Sequence, residues 1–278
     1  MRGIVWLALA ALVAACGGDD DGDGSGDAHS IRFERGGGDP PFGGFGVSIP
    51  IAGHAANVGA GDFTIEMWLK AEPDSLLAWG GCRGGLREGT SWLAGHVVLD
   101  RSQTATASFI GLSLFGDAVA FGVGDEDYVE GGVCEPAYLN SGEWHHLAAV
   151  REGSTLRVFV DGTSTRALED YQAGDLSYQG TDTPEAAAIL GGWKSRNTVA
   201  PWTGWIDDLR ISTVARYPAS PRPDGPLEAD ADTALLYHFD TIQGTTVIDS
   251  SVADPVNGTR GSGGGDWQVL YDADNPFY

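Results

Sequence analysis

Apolar Phe63, Ile65, Met67 and Leu69 alternate with Thr64, Glu66, Trp68 and Lys70. This period of two gives a β-strand one face for a core. The pattern recurs in Ile110, Leu112 and Leu114, then Gly116-Asp117, then Val119, Phe121 and Val123, which predicts a hairpin. Leu156, Val158 and Val160 lead into Asp161-Gly162, a pair suited to the positive φ angles of a tight turn. Further on, alternation places Trp205, Asp207, Leu209 and Ile211 on one face and Ile206, Asp208 and Arg210 on the other. No amphipathic helix of three turns stands out beyond the N-terminal segment. Short strands with frequent turn signals predict an all-β fold, a sandwich of two antiparallel sheets.

Composition narrows the function. Glycine, at 42 of 278 residues, is about twice the usual roughly 7%, which fits many turns. With 42% apolar residues the chain can bury a full core. The 39 acidic side chains against 16 Lys+Arg leave a formal net charge of -23. Nucleic acid is excluded as a partner, because displacing condensed counterions needs a dense cationic array. Only two lysines occur, Lys70 and Lys194. An anionic bilayer surface would repel the chain for the same reason.

Met1-Arg2-Gly3 supplies a positive start, and the apolar run Ile4 to Ala15 has the length and flanks of a secretory leader. Its end, Leu12-Val13-Ala14-Ala15-Cys16, resembles the lipobox of bacterial lipoproteins. That resemblance implies cleavage before Cys16, with residues 1–15 as signal peptide, and lipidation of Cys16, so that acyl chains alone hold the protein on the membrane. Gly17 and Gly18, with no Asp at the second mature position, point to the outer membrane, facing the periplasm or the cell surface. Cleavage near Ala15 with release of a soluble protein is the alternative. Residues 17–30 hold no apolar side chain larger than alanine and read, with Cys16, as a solvated tether. Asp19, Asp21, Asp23 and Gly24 match the opening of an EF-hand loop, but its twelfth position falls on Ser30 and not on a bidentate Glu. Export also bears on Cys82 and Cys134, which are expected to form a disulfide in an oxidising compartment.

Four segments carry a family resemblance. Asp62-Phe63-Thr64-Ile65-Glu66-Met67-Trp68-Leu69-Lys70, Glu143-Trp144-His145-His146-Leu147-Ala148-Ala149-Val150, Leu156-Arg157-Val158-Phe159-Val160-Asp161-Gly162 and Gly204-Trp205-Ile206-Asp207-Asp208-Leu209-Arg210-Ile211 look like successive signatures of the LamG-like jelly-roll family. This family lies within the concanavalin A-like lectin/glucanase superfamily. The resemblance covers roughly residues 31–217 and implies a curved jelly-roll sandwich that binds glycans or proteins. Residues 235–240, 244–251 and Trp267 are similar to the segment that usually opens such domains, yet here they come last. The tail, 218–278, is too short for a second sandwich and is expected to pack on the same body, supplying an edge strand and a covering loop. A truncated second repeat is the alternative.

Glucanases of this fold carry E-x-D-x-x-E, since retaining hydrolysis needs two carboxyl groups roughly 5 Å apart. The nearest string, Asp125-Glu126-Asp127-Tyr128-Val129-Glu130, begins with Asp and reads as a solvated acidic loop. His145-His146 cannot readily share a metal, because adjacent strand residues point to opposite faces. The resemblance allows one structural Ca²⁺, although no cofactor is required. Asp207, on an apolar face, is the metal candidate, with hydrogen bonding to loop amides as the alternative. Asp208 is expected in solvent.

Sugar sites stack C–H faces on aromatic rings. Trp144 and Trp205, inside motifs, are expected in the core. Trp79, Trp92, Trp193 and Trp202, in Gly-, Ser- or Pro-containing connections, and Trp68, beside Glu66 and Lys70, are the ligand-binding candidates. The sequence thus predicts a non-catalytic envelope binding or adhesion module for polysaccharide or another surface protein. The rivals are a glycoside hydrolase of the same fold and a structural lipoprotein without ligand.

Overall fold

A computed structural model describes residues 29–34, 45–77, 89–102, 108–127, 129–172, 174–178, 187–192, 200–217, 222–241, 243–261 and 268–277. The alternating segments pair there into two sheets. The first contains β1 (Ser30–Glu34), β3 (Phe63–Ala71), β8 (His145–Glu152), β9 (Thr155–Val160), β10 (Ala167–Leu168), β13 (Gly204–Ser212), β14 (Thr233–Tyr237) and β17 (Gln268–Asp272). Its order is β10-β9-β8-β3-β13-β1-β17, with β14 also on β13. The second contains β2 (Val47–Pro50), β4 (His96–Ser102), β5 (Phe109–Phe115), β6 (Ala118–Gly124), β7 (Glu130–Pro136), β11 (Ala187–Leu190), β12 (Ala200–Pro201), β15 (Thr246–Val247) and β16 (Gly258–Arg260). Its order is β15-β16-β2-β11-β4-β5-β6-β7, with β12 parallel to β4.

Alternation closes the two layers on each other. Ile65, Met67 and Leu69 of β3 and Leu147 of β8 meet Leu112, Leu114, Val119 and Phe121 of the second sheet in one dry cluster. Phe63 and Phe121 touch edge to face, with centroids 6.4 Å apart. The β5–β6 hairpin turns at Gly116-Asp117. Asp161 and Gly162 have φ of 49° and 76°, the left-handed pair that a tight turn after β9 demands. The leader and tether lie outside the described residues.

Both sheets are also covered on their outer faces. A short 3-10 helix, Gly89–Ala94, lays Trp92 on the second sheet among Val97, Phe109, Ala120 and Cys134. The ring fits because β5 has a glycine beneath it: a Cβ at Gly111 would come within 2.1 Å of the indole. On the first sheet, Ala148, Val150 and Phe159 pack under Tyr217.

The segment after 217 is woven into both layers. β14 pairs with β13, β17 with β1, and β16, which carries β15, with β2. These pairings add strands to the body as well as loops over it.

One expected register is overturned. Pairing of β13 with β3 slips by a residue between Asp207 and Arg210, and Asp208 adopts φ 47°. This bulge inserts an extra residue and reverses the alternation. Ile206, Leu209 and Ile211 enter the core, whereas Asp207 does not share the face of Leu209 and Ile211. The bulge also marks a fork, since β1 lines β13 along Gly204–Ile206 and β14 along Leu209–Ser212.

Candidate functional site

The buried polar groups of the first sheet are structural. Glu66, fully buried, faces outward from β3 beneath the segment that follows β13. It accepts hydrogen bonds from Arg210 Nε at 2.8 Å, from His146 Nε2 at 3.2 Å and from the Tyr217 hydroxyl. Burial raises its pKa, but these partners outweigh burial and hold it below 4.5. Alternation did identify His145 and His146 as pointing apart: His146 joins Glu66, whereas His145 Nδ1 lies 2.7 Å from Asp161 Oδ2.

Asp207 and Asp208 occupy the fork. Asp208 is buried, against the expectation of solvent, because the chain that follows β13 covers it: it accepts from Leu227 N at 2.6 Å and from His238. Asp207 accepts from Asp208 N at 2.9 Å. Burial first, then the charge of Asp208 and that of Asp240, push the Asp207 carboxyl up to about 9, so it is a neutral acid at pH 7. Asp240 in turn accepts from His29 N at 3.0 Å. Calcium wants six to eight oxygens. Among the described residues no three His, Cys, Asp or Glu side chains form a metal-holding group, and the Asp208 carboxylate already accepts from Leu227 N and His238.

The acidic string after β6 is similarly occupied. Asp125 is buried, not solvated, because its carboxylate caps a loop: it accepts from the amides of Asp127 at 3.0 Å, Val129 at 2.8 Å and Gly174 at 2.8 Å. Near that end of the sandwich, a cleft of about 340 Å³ is lined by Asp62, Arg151, Ser154 and Tyr171. Arg151 donates to Gly59 O and Asp62 accepts from Gly153 N, so both serve the backbone.

The described tryptophans differ from the expected assignment. Trp92 and Trp202 are 2% and 0% exposed and offer no ring face to a sugar; the first lies over Gly111 and the second joins the main core. Trp68, at 3%, does share the outer face with Glu66, but His146, Phe277 and the Arg222 guanidinium pack against it. Trp79, Trp193, Cys82 and Cys16 lie outside the described residues. Cys134 is buried and disulfide-bonded.

Trp144 and Trp205, expected in the core, are instead half-buried. Arg32 of β1, Trp205 of β13 and Lys70 of β3 stand side by side in register. The Arg32 guanidinium and the Lys70 ammonium lie 4.7 and 5.0 Å from the Trp205 ring centroid. Asp274 ties the row together, accepting from Lys70 Nζ at 2.6 Å and from Trp144 Nε1 at 3.0 Å. Arg32 is balanced by Glu34 at 3.1 Å and Glu72 at 3.3 Å. The result is a half-buried patch of two indoles among paired charges, with Arg32 and Lys70 packed against the Trp205 ring. Antiparallel pairing puts it at the end of the sheet where β3 finishes and β8 begins. The sequence signal was the cation-aromatic-cation register across three strands, which becomes visible only once the strands are paired.

A family profile described as the concanavalin A-like lectin/glucanases superfamily matches residues 45–220. The chain belongs to this superfamily. Among solved structures, a candidate carbohydrate-binding protein of Bacteroides ovatus is similar over 90% of this chain and 61% of that one, with TM-score 0.59 and 14% identity. The chain therefore spans less than two thirds of that protein. The CBM40 of a Ruminococcus gnavus IT-sialidase aligns over 64% of this chain and 91% of its own at TM-score 0.43 and 15% identity. A search of curated proteins found no match. At these identities the structural likeness establishes fold alone.

Proposed function

We propose that this superfamily member is a non-catalytic glycan-binding module, exported and lipid-anchored through Cys16, with residues 17–30 as the spacer between membrane and sandwich. The observation that carries the binding function is the half-buried row of Trp144 and Trp205 beside Arg32, Lys70 and Asp274. Sugar rings present C–H faces to aromatics and hydroxyls to charged groups, and this row supplies both within one surface. The similarity to the Bacteroides ovatus protein supports the same direction. The commitment of Asp125 to three backbone amides supports a non-catalytic role for the acidic string. Membrane attachment rests on the lipobox-like sequence; among the described residues no helix is long and apolar enough to cross a membrane.

Binding to a glycan array, with Trp205→Ala compared in parallel, tests the module. Selective binding that falls about tenfold or more in the variant is expected, and uniform silence of the unaltered protein would overturn the function. Cys16→Ala should move the protein from the membrane to the soluble fraction. Unchanged membrane retention in that variant would remove the lipid anchor from the account.

A further inference from the structure

Two apolar side chains are exposed at the same end of the sandwich: Tyr138, at 66%, and Leu77, at 61%. Both belong to connections stitched to the β5–β6 turn. Leu77 O accepts from Gly116 N at 3.0 Å, Leu139 N donates to Gly116 O at 3.4 Å, and Ala137 N donates to Asp117 O at 3.1 Å. Asn140 clamps the two connections by exchanging bonds of 2.9 Å with the backbone N–H and C=O of Leu76. The exposed ring is thus presented from a backbone fixed on both sides, so little conformational entropy remains to be lost on binding. The connection that carries Leu77 continues directly from β3, only a few residues past Lys70 of the indole row.

We infer that Tyr138 and Leu77 form an outlying contact for a sugar ring, so that the protein grips an internal stretch of a neutral polysaccharide and not a single terminal sugar. This rests on the glycan-binding function proposed above and extends it to ligand length and charge. Exposed Asp74 and Asp117 neighbour the two apolar side chains, and the whole chain carries -23. A polyanion is repelled there, whereas a hydroxyl of an uncharged sugar can donate to the Asp74 carboxylate. Two side chains set among acids also fall far short of the roughly 800 Å² per partner that a stable protein interface buries.

Native gels containing soluble β-glucan, xylan, galactomannan, α-glucan or the anionic polymer alginate, run with the full-length protein in mild detergent, test this. Expected is retardation by at least one neutral polymer, weakened about tenfold by Tyr138→Ala and less than about threefold by Tyr138→Phe, which keeps the ring. A disaccharide of the same sugar should bind equally to Tyr138→Ala and the unaltered protein, yet lose affinity in Trp205→Ala. If Tyr138→Ala migrates like the unaltered protein while Trp205→Ala is released, the outlying contact is wrong and the glycan function stands. If no polymer retards the unaltered protein, both fall. Retardation by alginate alone overturns the neutral class. Self-association in sedimentation that Tyr138→Ala abolishes would replace the sugar with a second copy of the chain.

Discussion

Glu66 of β3 and Arg210 of β13 are paired in register, and the carboxylate accepts from the guanidinium at 2.8 Å with no exposure of Glu66 to solvent. The pair is buried because the segment after β13 brings Tyr217 down over it, so a charge removed here leaves its partner stranded. Glu66→Gln keeps the shape but strands Arg210, and breaking a buried pair costs about 3–5 kcal/mol. A lower urea midpoint with an unchanged slope is expected; an unchanged midpoint would mean that the pair adds nothing. The sign with pH follows from the lowered pKa. Glu66 contributes stability above its ordinary 4.5 that is lost as pH falls through its folded value, so the unaltered protein should weaken more steeply than the variant below about pH 4.5.

Asp207 behaves in the opposite sense. With its carboxyl pushed up to about 9, the folded state holds a proton that the unfolded state releases from about pH 4 upward. Stability contributed by this residue therefore declines as pH rises between those values. Asp207→Asn, neutral at every pH, should flatten the decline and raise Tm at pH 8 by several degrees, at about 2–4 °C per kcal/mol. Thermal scans from pH 5 to pH 9 measure it. A Tm that rises with calcium and loses that response in the variant would instead make Asp207 a metal ligand.

Strands with strict alternation were legible in the sequence because each had a single face to bury: β3, the β5–β6 hairpin and β9 with its Asp161-Gly162 turn. β13 was legible as a strand but not in register. A bulge is one residue of excess backbone, and the hint was only an Asp-Asp pair in mid-strand, aspartate being one of the few non-glycine residues at ease at φ 47°. The tryptophans misled for a related reason. Motif membership says that a residue lies on a strand, not how far along the sheet the covering layer extends. Trp205 sits where that cover runs out, and Trp92 lies over a strand whose glycine makes room for its ring. Gly111 amid the alternating apolar residues of β5 was the available signal that something large lies on the outer face.

The strands after residue 217 make the tail integral to the core. β14 covers half of one edge of β13, β17 covers β1, and Leu235, Tyr237, Val247 and Val269 belong to the main apolar cluster. Ending the chain at 217 exposes that cluster and strips partners from three strands, β13, β1 and β2, which invites aggregation. The truncated protein should be insoluble or lack a cooperative thermal transition by circular dichroism. A soluble product with the Tm of the full chain would make the tail an appendage.

Cys134 lies 1% exposed in the layer that holds Trp92 on the second sheet, and it is disulfide-bonded. Pairing with Cys82 is the arrangement expected of an exported chain, and it closes a loop of about 50 residues, a constraint on the unfolded state of roughly 4 kcal/mol. The bond would tether the stretch that leads into the Trp92 helix to the strand beneath that helix. Peptide mapping without reduction should recover a Cys82–Cys134 crosslink. Cys82→Ser and Cys134→Ser should each lower the denaturant midpoint by the same amount, and the double variant by no more, because either change opens the same loop. A Cys82→Ser protein that keeps the full midpoint, with Cys134 still crosslinked, would assign the bond to another partner and remove this constraint from the Trp92 layer.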